Sequence, residues 1–332
     1  PCDCAGLARR DPRRPRSRPL AVVMTPHGVA LVDKPAGMSS FSVVSRLRRV
    51  MRPLGVSKVG HTGTLDPLAT GLLPICISEA TKFAQRLLDS DKGYLATVQF
   101  GAATTTGDAE GEVTHRSDRS LTASDVAAAL ATFQGPIRQK PPAFSALKIA
   151  GKPAYEYARA GQSVEIAERE VTIHAITLLA FDEATQRADI EVLCSKGTYI
   201  RSLAVNLAVA LGSAGHLAAL RRTRTGGFSL SEARPLDAWM EASDEQRLAW
   251  LLPTDSLVID LPRIDLDTAN ATNLCNGKLV ALSRVANADV SGATADSTLC
   301  RVYTGDAPAR FIGLGRLGDS GILRVERLLS TK

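Results

Sequence analysis

The chain has 332 residues, of which 45% are hydrophobic and 22% charged, enough for one large domain and a smaller one. No apolar run reaches the roughly 18 residues needed to cross a bilayer, and the start lacks the apolar core of a secretion signal. We therefore expect a soluble, cytoplasmic protein with no membrane partner. The six cysteines form no Cys-x-x-Cys pair, so we expect reduced thiols and no metal site.

The net charge of +6 is unevenly distributed along the chain. Residues 1–18 hold six Arg and two Asp, while the other 34 Lys and Arg and 32 Asp and Glu nearly cancel. Residues 33–58 carry six cations and one acid, residues 196–224 carry five cations and no acid, and residues 232–267 carry nine acids and three Arg. Local basic surfaces are what phosphate binding requires. A solvated charged face would have the same composition, so charge alone leaves both interpretations open.

The N-terminal 24 residues are rich in Pro and Arg and lack apolar periodicity, which predicts a disordered tail. Met24 precedes the first globular segment and is a candidate for the true start.

A short apolar strand follows at 29–32. Ser39 or Ser40 can cap a helix, in which the apolar residues recur at helical spacing and the other face is basic. The apolar residues are Val43, Val44, Leu47, Val50 and Met51, and the basic ones are Arg46, Arg48, Arg49 and Arg52.

Further along, strand and helix patterns interleave without a regular βαβ series, which indicates an α+β fold on a mixed or antiparallel sheet. The predicted elements are a Gly-rich loop (55–71), a helix (79–88), a strand (94–100), a helix capped by Thr122 and Asp125, an excursion (136–170) with a short helix near 155–160, strands (171–181 and 188–194) and a helix (201–211) ended by Gly212.

The C-terminal part changes character after an acidic, helical connector at 230–254. The last 75 or so residues consist of short β-rich segments with three glycines near the end, at 315, 318 and 321. We therefore expect a tail at 1–24, a large domain at 25–252 and a small β-rich domain at 253–332.

One carboxylate, Asp66, lies in a loop with three glycines, Gly60, Gly63 and Gly71. Pro67 biases Asp66 away from the helical region, and glycines let the backbone approach a ligand closely. Taken alone, an Asp in such a loop is more often a turn residue.

The longer string around Asp66 resembles the catalytic motif of the TruB family of tRNA pseudouridine-55 synthases. It covers residues 60–83, GHTGTLDPLATGLLPICISEATKF. The resemblance continues through DKPAGMSS (33–40), DSDKGY (89–94), FSALK (144–148), YEYAR (155–159), CSKGTYIRSL (194–203), LRRT (220–223) and FIGLG (311–315). Gly227 stands where the family often has Pro, and Phe144 stands where Tyr is common.

The resemblance implies a pseudouridine synthase fold. This is a mixed, mainly antiparallel central sheet flanked by helices, with a thumb-like insertion at 136–170 and a small C-terminal β-rich PUA domain that binds RNA. Residues 284–300 look like an enlarged loop of the PUA domain.

The resemblance also implies roles for individual side chains. Asp66 matches the nucleophile, Arg201 the arginine that pairs with it, and Tyr94 the active-site tyrosine. Tyr199 and Leu220 match residues that line the pocket of a flipped base, and His61 matches a histidine that contacts RNA. Each has an ordinary alternative, such as core packing for Tyr94 or a solvated loop position for His61. Five cations are assigned to phosphate contacts, although each could be a mere surface cation: Lys34, Lys148, Lys196, Arg221 and Arg222.

The implied activity is isomerisation of the T-loop uridine of tRNA to pseudouridine, by an Asp nucleophile acting on a flipped-out base. An Asp carboxylate can attack uracil C6 or ribose C1′ without a metal or cofactor, and the sequence leaves both routes open. The expected partner is the T arm of tRNA, and the expected state is a monomer. Two alternatives remain: a guide-RNA-dependent pseudouridine synthase subunit, and a tRNA-binding or folding protein that makes no product.

Overall fold

The computed structural model describes residues 25–145, 147–162, 164–282, 298–305 and 307–330. The predicted tail at 1–24 and positions 284–297 of the predicted enlarged loop lie outside the described residues. The strands of the large domain are β1 (Gly28–Lys34), β2 (Val59–His61), β3 (Thr70–Ile77), β4 (Lys92–Phe100), β5 (Ala102–Thr104), β6 (Val113–Arg116), β7 (Gly135–Gln139), β8 (Lys148–Ile149), β9 (Lys152–Pro153), β10 (Arg169–Asp182), β11 (Arg187–Cys194), β12 (Gly215–Thr225), β13 (Phe228–Ser229) and β14 (Arg234–Pro235).

Ten of these strands form one sheet in the order β14-β1-β3-β12-β4-β11-β10-β7, with β13 paired to β12 and β2 to β3. The β1/β14 and β3/β12 pairs are parallel, and the other neighbours are antiparallel. The expected mixed, mainly antiparallel sheet is confirmed. β5 with β6 and β8 with β9 form two small separate ribbons.

The helices cover both faces of this sheet. They are α1 (Ser40–Met51), α2 (Ala84–Leu88), α3 (Ala123–Thr132), α4 (Ala154–Arg159), α5 (Ile200–Ala210), α6 (Leu236–Glu241) and α7 (Asp244–Ala249). Successive residues of a strand point to opposite faces, so Ala30 and Val32 of β1 pack in the core under α1 and α5. Val29 and Leu31 pack in a second core on the other face.

Most predicted helices are confirmed together with their caps. The Ser39 side chain accepts a hydrogen bond from the Ser42 N–H at the start of α1, and Thr122 and Asp125 form a capping box on α3. The predicted helix 79–88 is wrong in its first half, because Ser78–Phe83 form a 3₁₀ helix and only α2 is α-helical. The predicted excursion begins too early, because Gly135–Gln139 pair with β10 at the sheet edge.

In the residues that the structure describes, the small domain consists of a five-stranded sheet and one α-helix. Its elements are β15 (Arg263–Leu266), α8 (Thr268–Cys275), β16 (Val280–Ala281), β17 (Thr298–Thr304), β18 (Phe311–Leu317) and β19 (Ile322–Leu328), in the sheet order β15-β17-β18-β19-β16. Residues 298–300, which were predicted in the enlarged loop, therefore belong to a strand.

The two domains share a packed surface. Phe311 lies with its ring centroid 5.5 Å from that of Phe83, and the Lys82 amine donates to the Leu328 carbonyl at 3.0 Å. Leu257 and Val258, in a 3₁₀ helix between the domains, pack in the same core as β1. The boundary at 252/253 stays a prediction.

None of the helices in the described ranges is both long and apolar enough to cross a membrane. Within the same ranges, His, Cys, Asp and Glu side chains form no group of three or more that could hold a metal ion.

The parallel junction of β3 and β12 depends on a glycine. Gly71 has φ +99°, and a Cβ there would lie 2.3 Å from the Arg222 carbonyl oxygen. We therefore expect Gly71→Ala to lower the free energy of unfolding by about 3 kcal/mol or more, from backbone strain and the clash together. Gly60→Ala is the matched control, because its Cβ would meet no atom within 4 Å. Urea unfolding followed by tryptophan fluorescence measures both, and equal midpoints would show that the close approach is not required.

Candidate active site

The segment around Asp66 is clamped to the start of α1. The Ser40 hydroxyl accepts a hydrogen bond from the Leu65 N–H at 2.8 Å and donates one to the Leu65 carbonyl at 2.9 Å. Thr62 donates its hydroxyl proton to the Pro74 carbonyl at 3.2 Å. The backbone on the N-terminal side of Asp66 is therefore fixed by the Ser40 side chain of α1 and by the Pro74 carbonyl of β3, although the segment itself forms no regular element.

Two buried cations hold the same segment, and for them the predicted phosphate contact is wrong. Lys34 is fully buried, and its amine donates to the carbonyls of Met38 at 2.6 Å and Pro67 at 3.3 Å. Arg222 is 1% exposed, and its guanidinium donates to the Leu72 carbonyl at 2.8 Å and the Gly63 carbonyl at 3.1 Å. Neither charge is free for RNA, because its donors are used on backbone carbonyls inside the protein.

Arg201 and Asp66 lie together, as the resemblance implied. A terminal guanidinium nitrogen of Arg201 lies 2.9 Å from an Asp66 carboxylate oxygen, and the side chains are 5% and 37% exposed. Arg201 also donates to the carbonyls of Phe144 at 2.8 Å and Thr106 at 3.2 Å. The guanidinium thus joins the Asp66 segment to the base of the excursion and to the loop after β5.

A second carboxylate, Asp108, completes this cluster and was missed by sequence reasoning. It is buried, and one oxygen lies 3.6 Å from Nε of Arg201. Its other oxygen accepts hydrogen bonds from the Thr106 hydroxyl at 2.5 Å and the Glu110 N–H at 3.1 Å. The available signal was an Asp between Gly107 and Gly111, the same kind of glycine-rich setting that drew attention to Asp66.

The backbone at the start of α5 is held in place by the end of β7. The buried Gln139 side chain accepts from the Tyr199 N–H at 2.7 Å and donates to the Tyr199 carbonyl at 3.0 Å. Ser202 donates to the Lys140 carbonyl at 2.8 Å. Because Arg201 lies between these two anchored residues, its position at the cluster is set by the sheet edge.

The environment raises the pKa of Asp66 above its ordinary value of 3.8. Burial is the largest cause and Asp108 adds to it, whereas the Arg201 and Lys34 charges lower the pKa. Burial also lowers the pKa of Lys34, to about 8. Arg201 is thus the main group that keeps Asp66 ionised in a setting that disfavours its charge.

A cavity of about 350 Å³ opens beside Asp66. Tyr94, the expected active-site tyrosine, lines it together with Tyr199 and Leu220, the two residues expected in the pocket. The Arg169 guanidinium lies over the Tyr199 ring, 4.8 Å from its centroid. The structure therefore brings the predicted pocket residues together around Asp66, with two aromatic walls and one aliphatic wall.

Two other lining residues carry buried polar atoms with no hydrogen-bond partner in the part of the chain that the structure describes. They are the Ser145 hydroxyl and Nε of Arg169. Unsatisfied groups are rare in folded proteins and are usually paired by water or a ligand. These two unpaired polar atoms, next to the aromatic and aliphatic walls, fit a cavity that binds a planar ring with polar atoms on its edge.

Tyr94 is on β4 and is held by its neighbours on β12. Burial raises the pKa of its phenol, while the hydrogen-bonded Arg222 guanidinium lowers it. His61, at the end of β2, accepts a hydrogen bond at Nδ1 from the Gly63 N–H at 3.3 Å. Burial and the Arg222 charge lower the His61 pKa, so its ring is neutral at pH 7.

The three remaining predicted phosphate ligands have different surroundings. Arg221 forms a two-pronged ion pair with Asp33, at 2.6 and 3.2 Å. Lys196 is 2.9 Å from Asp89. Lys148 is exposed on β8 and has no ion pair within the described ranges. For all three, phosphate binding stays a prediction.

We expect Lys34→Met to lower the free energy of unfolding by about 1–3 kcal/mol, because it leaves buried carbonyl oxygens unpaired. Lys148→Met removes the same charge at an exposed position and should cost less than about 0.5 kcal/mol. Thermal or guanidinium unfolding gives both differences. Equal effects of the two substitutions would contradict the scaffold role of Lys34.

Comparison with known proteins gives matches along most of the chain. The model of the "TruB family pseudouridylate synthase (N terminal domain)" matches residues 51–200, and that of "Pseudouridine synthase II TruB, C-terminal" matches residues 262–329. A "tRNA pseudouridine synthase B" of Cupriavidus metallidurans is 48% identical over 324 residues, covering 97% of this chain and 98% of that protein. A protein of the same name from Ralstonia pickettii is 46% identical, with 97% and 99% covered.

Solved structures share the fold at lower identity. An H/ACA RNP bound to a substrate RNA containing 2′-deoxyuridine aligns with a TM-score of 0.66 and 23% identity, over 94% of this chain and 87% of that one. A Cbf5-Nop10-Gar1 complex aligns with a TM-score of 0.64 and 24% identity, over 92% and 85%. The architecture is therefore shared with the matched chains of these complexes, with a separate C-terminal β domain of the PUA-like kind. With both family models matched and relatives nearly half identical over almost its whole length, the chain belongs to the TruB family of pseudouridylate synthases.

Proposed function

We propose that the protein isomerises uridine 55, in the T loop of tRNA, to pseudouridine, and that Asp66 is the nucleophile. The observation that carries this proposal is the Asp66–Arg201 ion pair at 2.9 Å, on the wall of a cavity large enough for one base. The choice of tRNA follows the printed name of the relatives that match almost the whole chain.

The reaction needs no co-reactant, because product and substrate are isomers. The bond between N1 of uracil and C1′ of ribose breaks, the ring turns, and a bond between C5 and C1′ forms. C5 loses its proton and N1 gains one. Asp66 supplies the covalent intermediate by attack at C6 or at C1′, and both routes place its carboxylate beside the ring. The bond between Asp66 and that carbon breaks again before the product leaves, which regenerates the carboxylate.

The cavity walls fit a base that has left its stack. Tyr94 and Tyr199 offer flat faces and Leu220 an apolar surface, which are the contacts that bind flipped or unstacked bases. In this proposal the main role of Tyr94 is to stack on the base, because burial raises the pKa of its phenol and a neutral phenol is a weak base. Tyr94 could also remove the C5 proton only as the phenolate, and the Arg222 charge favours that form.

We further propose that the protein acts as a monomer in the cytoplasm, on the T arm, without metal or cofactor. Lys148, Lys196 and Arg221 are proposed phosphate contacts, and His61 a contact of the loop nucleotides. Sedimentation of the purified protein at micromolar concentration tests the monomer; a dimer under those conditions would contradict it.

The guide-RNA alternative draws on the fold shared with Cbf5, whose solved complexes contain further proteins. A thumb-like insertion between β7 and β10 contains the β8–β9 ribbon and α4. The resemblance to the TruB family implies that this insertion closes on the T arm, which supports a stand-alone enzyme. A tRNA-folding role is compatible with catalysis, and Asp66→Ala separates the two, because refolding of tRNA would survive the loss of the nucleophile.

The decisive experiment uses unmodified tRNA tritiated at uracil C5. Purified protein alone should release tritium from one site per tRNA, and Asp66→Ala should release none above background, because the covalent step is lost. No release by the wild type, equal release by Asp66→Ala, or a strict need for an added guide RNA would each overturn the proposal.

The pH dependence tests the role of Arg201. Activity requires ionised Asp66, so kcat/KM should fall as pH drops through the raised pKa of this carboxyl. Arg201→Met removes the charge that lowers this pKa, so the acidic limb should move to higher pH. The plateau should also fall by about 10²-fold or more as the carboxylate loses its alignment. The exposed Arg46→Met is the control and should keep the wild-type profile; an unmoved or lowered acidic limb in Arg201→Met would contradict the assignment.

A further inference from the structure

The exposed side of α1 carries residues that the catalytic cluster does not use. Its buried side consists of Ser40, Val43, Val44, Leu47 and Met51. On the adjoining flank, residues at i, i+4, i+7, i+8 and i+11 lie along one line of the helix surface. We call this line the α1 stripe; it comprises Phe41, Ser45, Arg48, Arg49 and Arg52, the last being the residue that follows α1.

The α1 stripe exposes an aromatic ring and uncompensated positive charge. Phe41 is 68% exposed, although a phenylalanine on a helix is usually buried. Arg49 and Arg52 are also exposed. The helix contains no acidic residue, and within the described ranges none of its arginines forms an ion pair with an acid.

The α1 stripe leads to the active site. The Arg48 guanidinium donates to the Val59 carbonyl, at the start of β2, at 3.2 Å. Ser40, two turns earlier in α1, bonds to Leu65, which precedes Asp66. The segment from Val59 through His61 to Leu65 therefore runs alongside α1 in the opposite direction, from Arg48 back to Ser40. Phe41 lies at the active-site end, and Arg52 lies ~16 Å further along the helix.

We propose that the α1 stripe binds the RNA strand that adjoins the nucleotide in the cavity, and this rests on the proposed function. Phe41 stacks on an unpaired base of that strand, and Arg49 and Arg52 bind its phosphates. Lys58 is a further exposed cation and precedes Val59, the residue that Arg48 contacts. The partner is an RNA loop rather than a protein, because an aromatic side chain combined with unpaired cations is the combination that binds single-stranded nucleic acid. A protein partner would need an acidic surface and would leave RNA affinity unchanged by these substitutions.

The test compares Phe41→Ala, Arg49→Ala and Arg52→Ala with Arg46→Ala. Arg46 is the matched control, because it is exposed on the same helix, carries the same charge and lies at least about 120° around the helix from Phe41 and Arg52. The probe is an unmodified T-arm hairpin RNA, and the measurements are Kd at several salt concentrations and single-turnover tritium release at saturating RNA.

We expect Phe41→Ala to raise Kd about fivefold or more, as the loss of one stacked base does, without changing the slope of log Kd against log salt. Arg49→Ala and Arg52→Ala should each reduce that slope by about one. The single-turnover rate at saturating RNA should stay within about twofold of wild type, since none of these residues touches the cavity. Arg46→Ala should behave as wild type throughout.

Three results would overturn the proposal. An equal rise in Kd for Arg46→Ala, Arg49→Ala and Arg52→Ala would show that RNA is attracted by the overall positive charge of the helix and not by the α1 stripe. An unchanged Kd in Arg49→Ala and Arg52→Ala would show that the stripe does not bind phosphates. An unchanged Kd in Phe41→Ala would remove the stacked base. None of these depends on product formation by the wild type, so failure of the α1 stripe and failure of the proposed function are distinguishable. Unfolding midpoints equal to wild type show that the variants are folded.

Discussion

The site depends on the ion pairs and hydrogen bonds that the buried Arg201 guanidinium forms. A buried charge is costly unless it is paired and hydrogen-bonded, and Arg201 meets this condition with Asp66, Asp108 and the carbonyls of Thr106 and Phe144. These partners come from three separate segments of the chain, around residues 66, 106–108 and 144, so they must assemble for the charge to be compensated. The same requirement positions Asp66, the proposed nucleophile. Of the two carboxylates it is the one that still has exposed surface, and it lines the cavity.

Two further buried cations form the scaffold around this cluster. Lys34 and Arg222 use their donors on backbone carbonyls on the two sides of Asp66, and Gly71 lets β12 approach closely enough to bring Arg222 there. Their charges also act on the site. Lys34 opposes the rise that burial causes in the Asp66 pKa, and Arg222 opposes the rise that burial causes in the Tyr94 pKa. The Arg222 charge adds to the lowering of the His61 pKa by burial. The scaffold therefore sets both the shape and the electrostatic potential of the pocket.

The positive charges divide into two classes with different tasks. Three of the buried cations, Lys34, Arg201 and Arg222, stabilise the site, whereas the exposed class holds the proposed RNA contacts. Lys148, Arg49 and Arg52 belong to the second class, while Arg221 and Lys196 are partly committed to Asp33 and Asp89. Counting basic residues along the sequence merges the two classes, which is why a basic stretch such as 196–224 says little about the RNA surface until burial is known.

The sequence by itself determined the elements with strong local signals, because periodicity, capping and glycine positions act over a few residues. The α1 pattern with Ser39, the capping box of α3 and the alternation of β4 were all predictable in this way, and the string around Asp66 pointed to this residue as a candidate nucleophile through its resemblance. Only the tertiary structure decided what depends on distant partners. It placed residues 135–139 in the sheet, added Asp108 to the Arg201 cluster and buried Lys34 and Arg222. A cation's task is set by which carbonyls and carboxylates fold around it, and no local pattern in the chain records that.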